Sequence, residues 1–126
     1  MKDIFKDVMG ITGVHALMVV TNEGSVMLSR FSPDFRSEEK KFSQINWEPF
    51  IIEMGSIKDA ELVYDSARFY IIKSEAGFLI VIIGDNAPIS LVRLNCEILL
   101  PLLRKIQPAS KRIGNILRKV ILKIFF

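Results

Sequence analysis

GVHALMVVTNEGSVMLSR, residues 13–30, reads as two short strands folded back on each other across Asn22-Glu23-Gly24. Val14, Ala16, Met18 and Val20 alternate with His15, Leu17, Val19 and Thr21. Both sets are largely apolar, as in a strand buried on both faces. Gly24 supplies a positive φ and Asn22 tolerates the left-handed region, which suits a tight reversal. Ser25-Val26-Met27-Leu28-Ser29 returns as the second strand. The stretch holds no catalytic constellation, so it points to a scaffold.

Upstream, residues 2–11 place Ile4, Phe5, Val8 and Met9 at helical spacing, with Asp3 in the first turn where the helix dipole favours an acid. Gly10 and Gly13 end that helix. Downstream, FSPDFRS is a loop, and Ser37-Glu38-Glu39-Lys40 opens a second helical region with Glu-to-Lys pairing on its surface. That region is interrupted. Phe42 and Ile45 lead into Asn46-Trp47-Glu48-Pro49, followed by Phe50, Ile51, Ile52 and Met54. Proline costs ~3 kcal/mol inside a helix but is tolerated in a first turn, so Asn46 is read as the cap of a new segment ending near Gly55.

Three strands follow, at Glu61–Tyr64, Arg68–Lys73 and Phe78–Ile83. The last is apolar throughout, which marks it as central. Gly84-Asp85-Asn86-Ala87-Pro88 then turns into a helix over about 89–105 bearing Leu91, Leu94, Ile98 and Leu102. The order α-β-β-α-β-β-β-α predicts an α/β (α+β) chain with an antiparallel sheet rather than repeated βαβ units.

With 126 residues the chain is one domain by length, yet half of its residues are hydrophobic. A domain this small has too much surface to hide that much apolar material alone, so a partner is expected to cover part of it. No apolar run nears the ~20 residues that span a bilayer. MKDIFKDVMG carries two aspartates and no signal-peptide core. Cys96 is the sole cysteine, which excludes an internal disulfide and suits a reducing, cytoplasmic setting. One cysteine and one histidine do not make a Cys/His metal site within a monomer, and no cofactor is expected.

The net charge of +3 hides a split. Residues 1–97 hold ten basic and fourteen acidic side chains, net −4, whereas residues 98–126 hold seven basic ones and no acid, net +7. A nucleic-acid binder would carry its basic face on the body with aromatics interleaved; that pattern is missing, so no nucleic-acid partner is expected.

Individual residues invite chemistry without supporting it. His15 has no second base or nucleophile motif near it and reads as a packed strand residue. Cys96, in helical step with Val92 and Leu99, reads as a buried small hydrophobe. Gly84–Pro88 precedes a helix but lacks both phosphate-binding fingerprints, and Asp85 would repel an anion, so a turn with an Asn cap is expected. Glu38-Glu39-Lys40-Lys41 reads as a solvated helix face. Arg68 and Arg93 are the residues able to act as an arginine finger, although a solvated or paired surface role is the simpler reading. Trp47 and Phe50, large and close to a helix end, suit either an interface or the core.

The chain divides into a body over 1–106 and a basic amphipathic helix over 107–126. In KRIGNILRKVILKIFF, Ile113, Ile116, Leu117, Val120, Ile121 and Ile124 follow helical spacing while Lys111, Arg112, Arg118, Lys119 and Lys123 fall on the other side. Burying six aliphatic side chains is worth roughly 10–15 kcal/mol gross. Such a stripe covers its own domain or its dimer mate, holds a protein partner, or lies peripherally on an anionic membrane.

The chain resembles the roadblock domain family of dynein light chains and bacterial and archaeal small-GTPase regulators. The resemblance covers about residues 2–105. It rests on Gly13-Val14 after the first helix, Asn22-Glu23-Gly24 in the hairpin, and the final strand with its turn and Leu91-Val92-Arg93 in the next helix. It implies a five-stranded antiparallel sheet with the second helix on one face and the first and third on the other. It also implies a homodimer that joins third strands into one sheet and pairs second helices. Carried onto this chain, the pairing edge is Glu61, Leu62, Val63 and Tyr64, and the helix presents Phe42, Ile45, Trp47, Phe50 and Ile51. Pairing an open edge strand removes an aggregation liability and hides apolar area, which agrees with that arrangement. Pro49 departs from an uninterrupted second helix. The function implied is a non-catalytic regulator or scaffold of a small Ras-like GTPase; the other reading is a membrane-surface adaptor anchored by the basic C-terminal helix.

Overall fold

A computed structural model of the chain describes residues 4–63, 68–75 and 77–103. Tyr64 and the C-terminal stripe from Ile113 to Ile124 lie outside the described residues. The elements run α1 (Lys6–Met9), β1 (Val14–Val20), β2 (Val26–Phe31), a 3-10 helix (Pro33–Glu38), α2 (Glu39–Ser43), α3 (Glu48–Met54), β3 (Asp59–Val63), β4 (Arg68–Ser74) and β5 (Gly77–Ile83). A further helix, α4, covers 89–103. The five strands form one antiparallel sheet in the order β2-β1-β5-β4-β3.

The expected architecture stands, and the sheet lies between two layers of helix. β5 occupies the middle position and is buried at all seven residues, as its unbroken apolar run requires. One core holds Leu17, Val19, Leu79 and Val81 from the sheet with Val8 of α1, Phe5 just before it, and Val92, Cys96, Leu99 and Leu103 of α4. The other holds Ala16, Met18, Val20, Ile80 and Ile82 with Trp47 and Met54.

Several local expectations need correction. Alternation in β1 is not strict from Val14, because the β1–β5 register shifts between Val14 and Ala16. The extra residue there is His15, so Val14 joins the α1–α4 core while Ala16 joins the opposite one. FSPDFRS is not a loop, since Pro33 sits in the first turn of a 3-10 helix that runs into α2. α1 is only four residues long. β3 begins two residues earlier than expected, at Asp59. On α4, by contrast, Cys96 is buried with Val92 and Leu99 as expected and Leu103 continues that line, while Leu91, Leu94 and Ile98 are exposed.

Two glycines lock the hairpin in place. Gly24 has φ +89°, and a Cβ there would lie 2.3 Å from the Glu48 backbone nitrogen. The close approach lets the Trp47 amide donate to the Gly24 carbonyl at 3.0 Å, docking the hairpin tip on the start of α3. Gly77, at φ +147°, would carry its Cβ 2.1 Å from the Val20 carbonyl oxygen. Both positions exclude a side chain by conformation and by contact.

Candidate functional site

The surface with the strongest claim to function lies where α3 meets the outer strand β3. Glu48 and Pro49 open α3, and its N-cap position is Trp47 rather than the expected Asn46, without a side-chain cap bond. Asn46, one residue earlier, accepts from the Glu48 amide at Oδ1 over 3.1 Å and turns the chain into the helix. Pro49 sits in the first turn, where its missing N–H leaves no bond unmade. Gly55 ends the helix with φ +54°. Between α3 and β3 lies an apolar groove of about 350 Å³, lined by Pro49, Phe50, Glu53, Met54, Ile57, Ala60 and Leu62. Of its lining Ile57 is 51% exposed, and Ile52, elsewhere on α3, is 67% exposed. β3 is one of the two outer strands, and its outward edge pairs with no other described strand.

The residues expected at an interface fall into three environments. Phe50 and Leu62 meet in the groove. Phe42 and Ile51 are half-buried against the second core, while Ile45 is exposed. Trp47 is 5% exposed and lies inside that core, edge-on to Phe50 at 5.8 Å and to Phe69 at 6.4 Å. Its placement in the protomer's own packing leaves little of the ring for a partner. Among the described residues its buried Nε1 has no hydrogen-bond partner. Period two divides β3 as well. Ala60 and Leu62 pack on the Trp47 side, whereas Asp59 turns to α4 and bonds Arg93 there. Glu61 and Val63 share the Asp59 parity, and Val63 is 69% exposed.

The groove residues Glu53, Met54, Ile57 and Ala60 are not marked in the sequence by any motif. Met54 belongs to the apolar pattern of the segment before Gly55, and Ile57 leaves a trace as an isolated apolar residue in the polar run Gly55-Ser56-Ile57-Lys58-Asp59.

The candidates for chemistry are engaged in structure. Arg68 gives Nε and Nη2 to Glu61 Oε1 at 2.9 and 2.7 Å and Nη1 to the Gly84 and Asp85 carbonyls at 3.1 Å. It therefore braces the turn before α4. Arg93 pairs with Asp59 at 3.0 Å and with Glu97 at 3.8 Å. His15 packs against Phe35 in a tilted ring contact, centroids 5.1 Å apart. The Cys96 side chain is fully buried, and burial first, then the Glu97 charge, pushes its thiol up to about 12, so it is inert at neutral pH. The Tyr70 hydroxyl donates to Asp59 at 2.8 Å, and burial together with that bond holds the phenol far above its ordinary range. Among the described residues no helix is long and apolar enough to cross a membrane.

Solved structures share this architecture. MglB from Myxococcus xanthus is similar at TM-score 0.64 and 16% identity, over 84% of this chain and 89% of that one. An MglB with tetrameric arrangement gives TM-score 0.60 and 13% identity, over 85% of this chain and 87% of the other. The Roadblock/LC7 domain from Streptomyces avermitilis gives TM-score 0.55 and 15% identity, over 79% and 89%. No protein-family model matches the sequence, and no curated protein matches it in sequence. At these identities the likeness is one of fold, carried by the order of elements and the sheet rather than by shared side chains. The chain has the Roadblock/LC7 fold.

Proposed function

We propose that this chain is a non-catalytic regulator or scaffold of a small Ras-like GTPase and works as a homodimer joined across β3 and the α2–α3 segment. The observation that carries the reading is an apolar groove set beside an open outer strand on a Roadblock/LC7 fold. A second β3 would satisfy the free edge by backbone hydrogen bonds. The exposed Ile57 in the groove, Ile52 on α3 and Val63 on the strand itself would lose water on pairing. The groove is lined almost wholly by apolar side chains, so it suits packing between proteins better than orientation of a polar substrate.

The test has two parts. Sedimentation of the full chain at micromolar concentration is expected to give a dimer. Val63→Lys, at an exposed position, is expected to shift it to monomer with unchanged circular dichroism, because a lysine on the edge resists strand addition. Small GTPases from the same genome are then titrated with both forms, and the partner is expected to bind the dimer. A wild-type monomer that binds none of them overturns the proposal.

A further inference from the structure

α4 has two apolar lines where a surface helix needs one. Val92, Cys96, Leu99 and Leu103 are buried against the sheet. Leu91, Leu94 and Ile98, at i, i+3 and i+7, are 45%, 53% and 58% exposed, and Pro101 continues their line at the surface. Arg93 and Glu97, on the β3 side of the helix, hold an ion-pair cluster with Asp59, so the exposed line faces away from the edge where dimerisation is proposed.

The chain that follows α4 carries a matching pattern. With the helix read from the sequence as ending near Lys105, residues 106–110 leave about five residues for a connection, within the range that joins neighbouring antiparallel helices. Folded back as a helix from Lys111, the tail brings Ile113 opposite Pro101, Ile116 and Leu117 opposite Ile98, Val120 opposite Leu94, and Ile124 opposite Leu91. The spacings coincide over the whole exposed line. Charge agrees with this placement, because residues 1–97 carry net −4 and residues 98–126 net +7.

We propose that residues 111–126 pack antiparallel on the Leu91–Leu94–Ile98 line of the same chain, making a helical hairpin with α4. The tail is then a built-in cover for its own body. Its aliphatic side is occupied, its cations lie at the surface, and a membrane or a partner reaches that side only by displacing it. The proposal is independent of the GTPase reading and of the dimer.

Cross-linking in the full chain tests the register. Leu94→Cys with Val120→Cys is expected to close a disulfide within one chain under mild oxidation, since the paired positions fall inside the distance a disulfide needs. Leu94→Cys with Ile113→Cys lies about 10 Å out of step and is expected to form at least about tenfold more slowly. Native Cys96 is fully buried and stays in place. Equal rates for the two pairs overturn the proposal, and so do cross-links between chains, which would assign the line to a second copy. Leu94→Glu provides an independent measurement, because position 94 is exposed and the body keeps its core. Trypsin is expected to cleave that variant between Lys111 and Lys119 about tenfold faster than wild type. Unchanged cleavage overturns the hairpin. Wild type floating with mixed phosphatidylserine–phosphatidylcholine vesicles as strongly as Leu94→Glu does so too, by placing the tail on lipid instead.

Discussion

The two faces of the sheet are closed in different ways. On one face a single helix of at least four turns, α4, lies over Leu17, Val19, Leu79 and Val81, with the short α1 beside it, and the packing is mostly aliphatic. On the other face a 3-10 helix and two short α-helices do the same work in pieces. There the gaps are filled by rings, with Phe31, Phe35, Phe42, Trp47, Phe50 and Phe69 in successive contact at 5.8–6.4 Å. A continuous helix presents regular ridges that branched aliphatics fill, whereas broken cover leaves irregular spaces suited to large flat side chains. The broken face also ends short of β3 and leaves the groove. Incomplete cover and an open strand edge thus occur at the same place.

The comparison is broken most directly by truncating one anchor on each face. Trp47→Ala is expected to cost about 4 kcal/mol in urea unfolding and Leu99→Ala about 3 kcal/mol, both at fixed protein concentration. A Trp47→Ala cost below that of Leu99→Ala would mean that the ring cluster is peripheral and the α4 face alone carries the fold. Gly24→Ala comes next, at about 2 kcal/mol, because it combines positive φ with a clash against the start of α3. Its loss should loosen α3 before the α4 face, and hydrogen exchange at Ile51 and Gly55 reports this; uniform loss across both faces would contradict the docking role of the hairpin tip.

The smallest effect belongs to the α4 side. Burial and the Glu97 carboxylate raise the Cys96 thiol from 9.0 to about 12. The unfolded chain gives up that proton near its ordinary value while the folded chain keeps it, so the stability linked to it is complete below pH 9 and declines as pH rises toward 12. The slope for one such group is at most ~1.4 kcal/mol per pH unit, and Tyr70, also raised, adds loss in the same direction above its own ordinary value. Cys96→Ala is expected to flatten the decline between pH 9 and 11, measured by urea midpoints, and an unchanged slope would count against a buried neutral thiol.

Much of the architecture is legible in local sequence. The run Phe78–Ile83 is apolar without interruption, and nothing but a strand covered on both faces accommodates it. Pro49 in the first turn and Gly55 after Met54 bracket α3 by the chemistry of helix ends, although the cap position falls on Trp47, one residue after the Asn46 that the sequence suggests. The groove is less legible, because its lining comes from α3, the loop at Ile57 and β3, and chain proximity does not express that meeting. Trp47 shows the same limit: its size marks it as important, but core and interface reward the same ring.

By itself, then, the sequence determined the element order, the central strand, the break before α3 and the charge split between body and tail, since each is written in neighbouring residues. Tertiary structure alone decided which side each element shows. A bulge at His15 sends Val14 and Ala16 to opposite cores, although alternation puts them together. On α4, Leu91-Leu94-Ile98 and Val92-Cys96-Leu99 are both valid helical lines; the sequence reads Cys96 as buried, but that the first line stays exposed is settled by the sheet. Periodicity states that a helix has an apolar side; where two sides qualify, only the surface it packs against chooses between them.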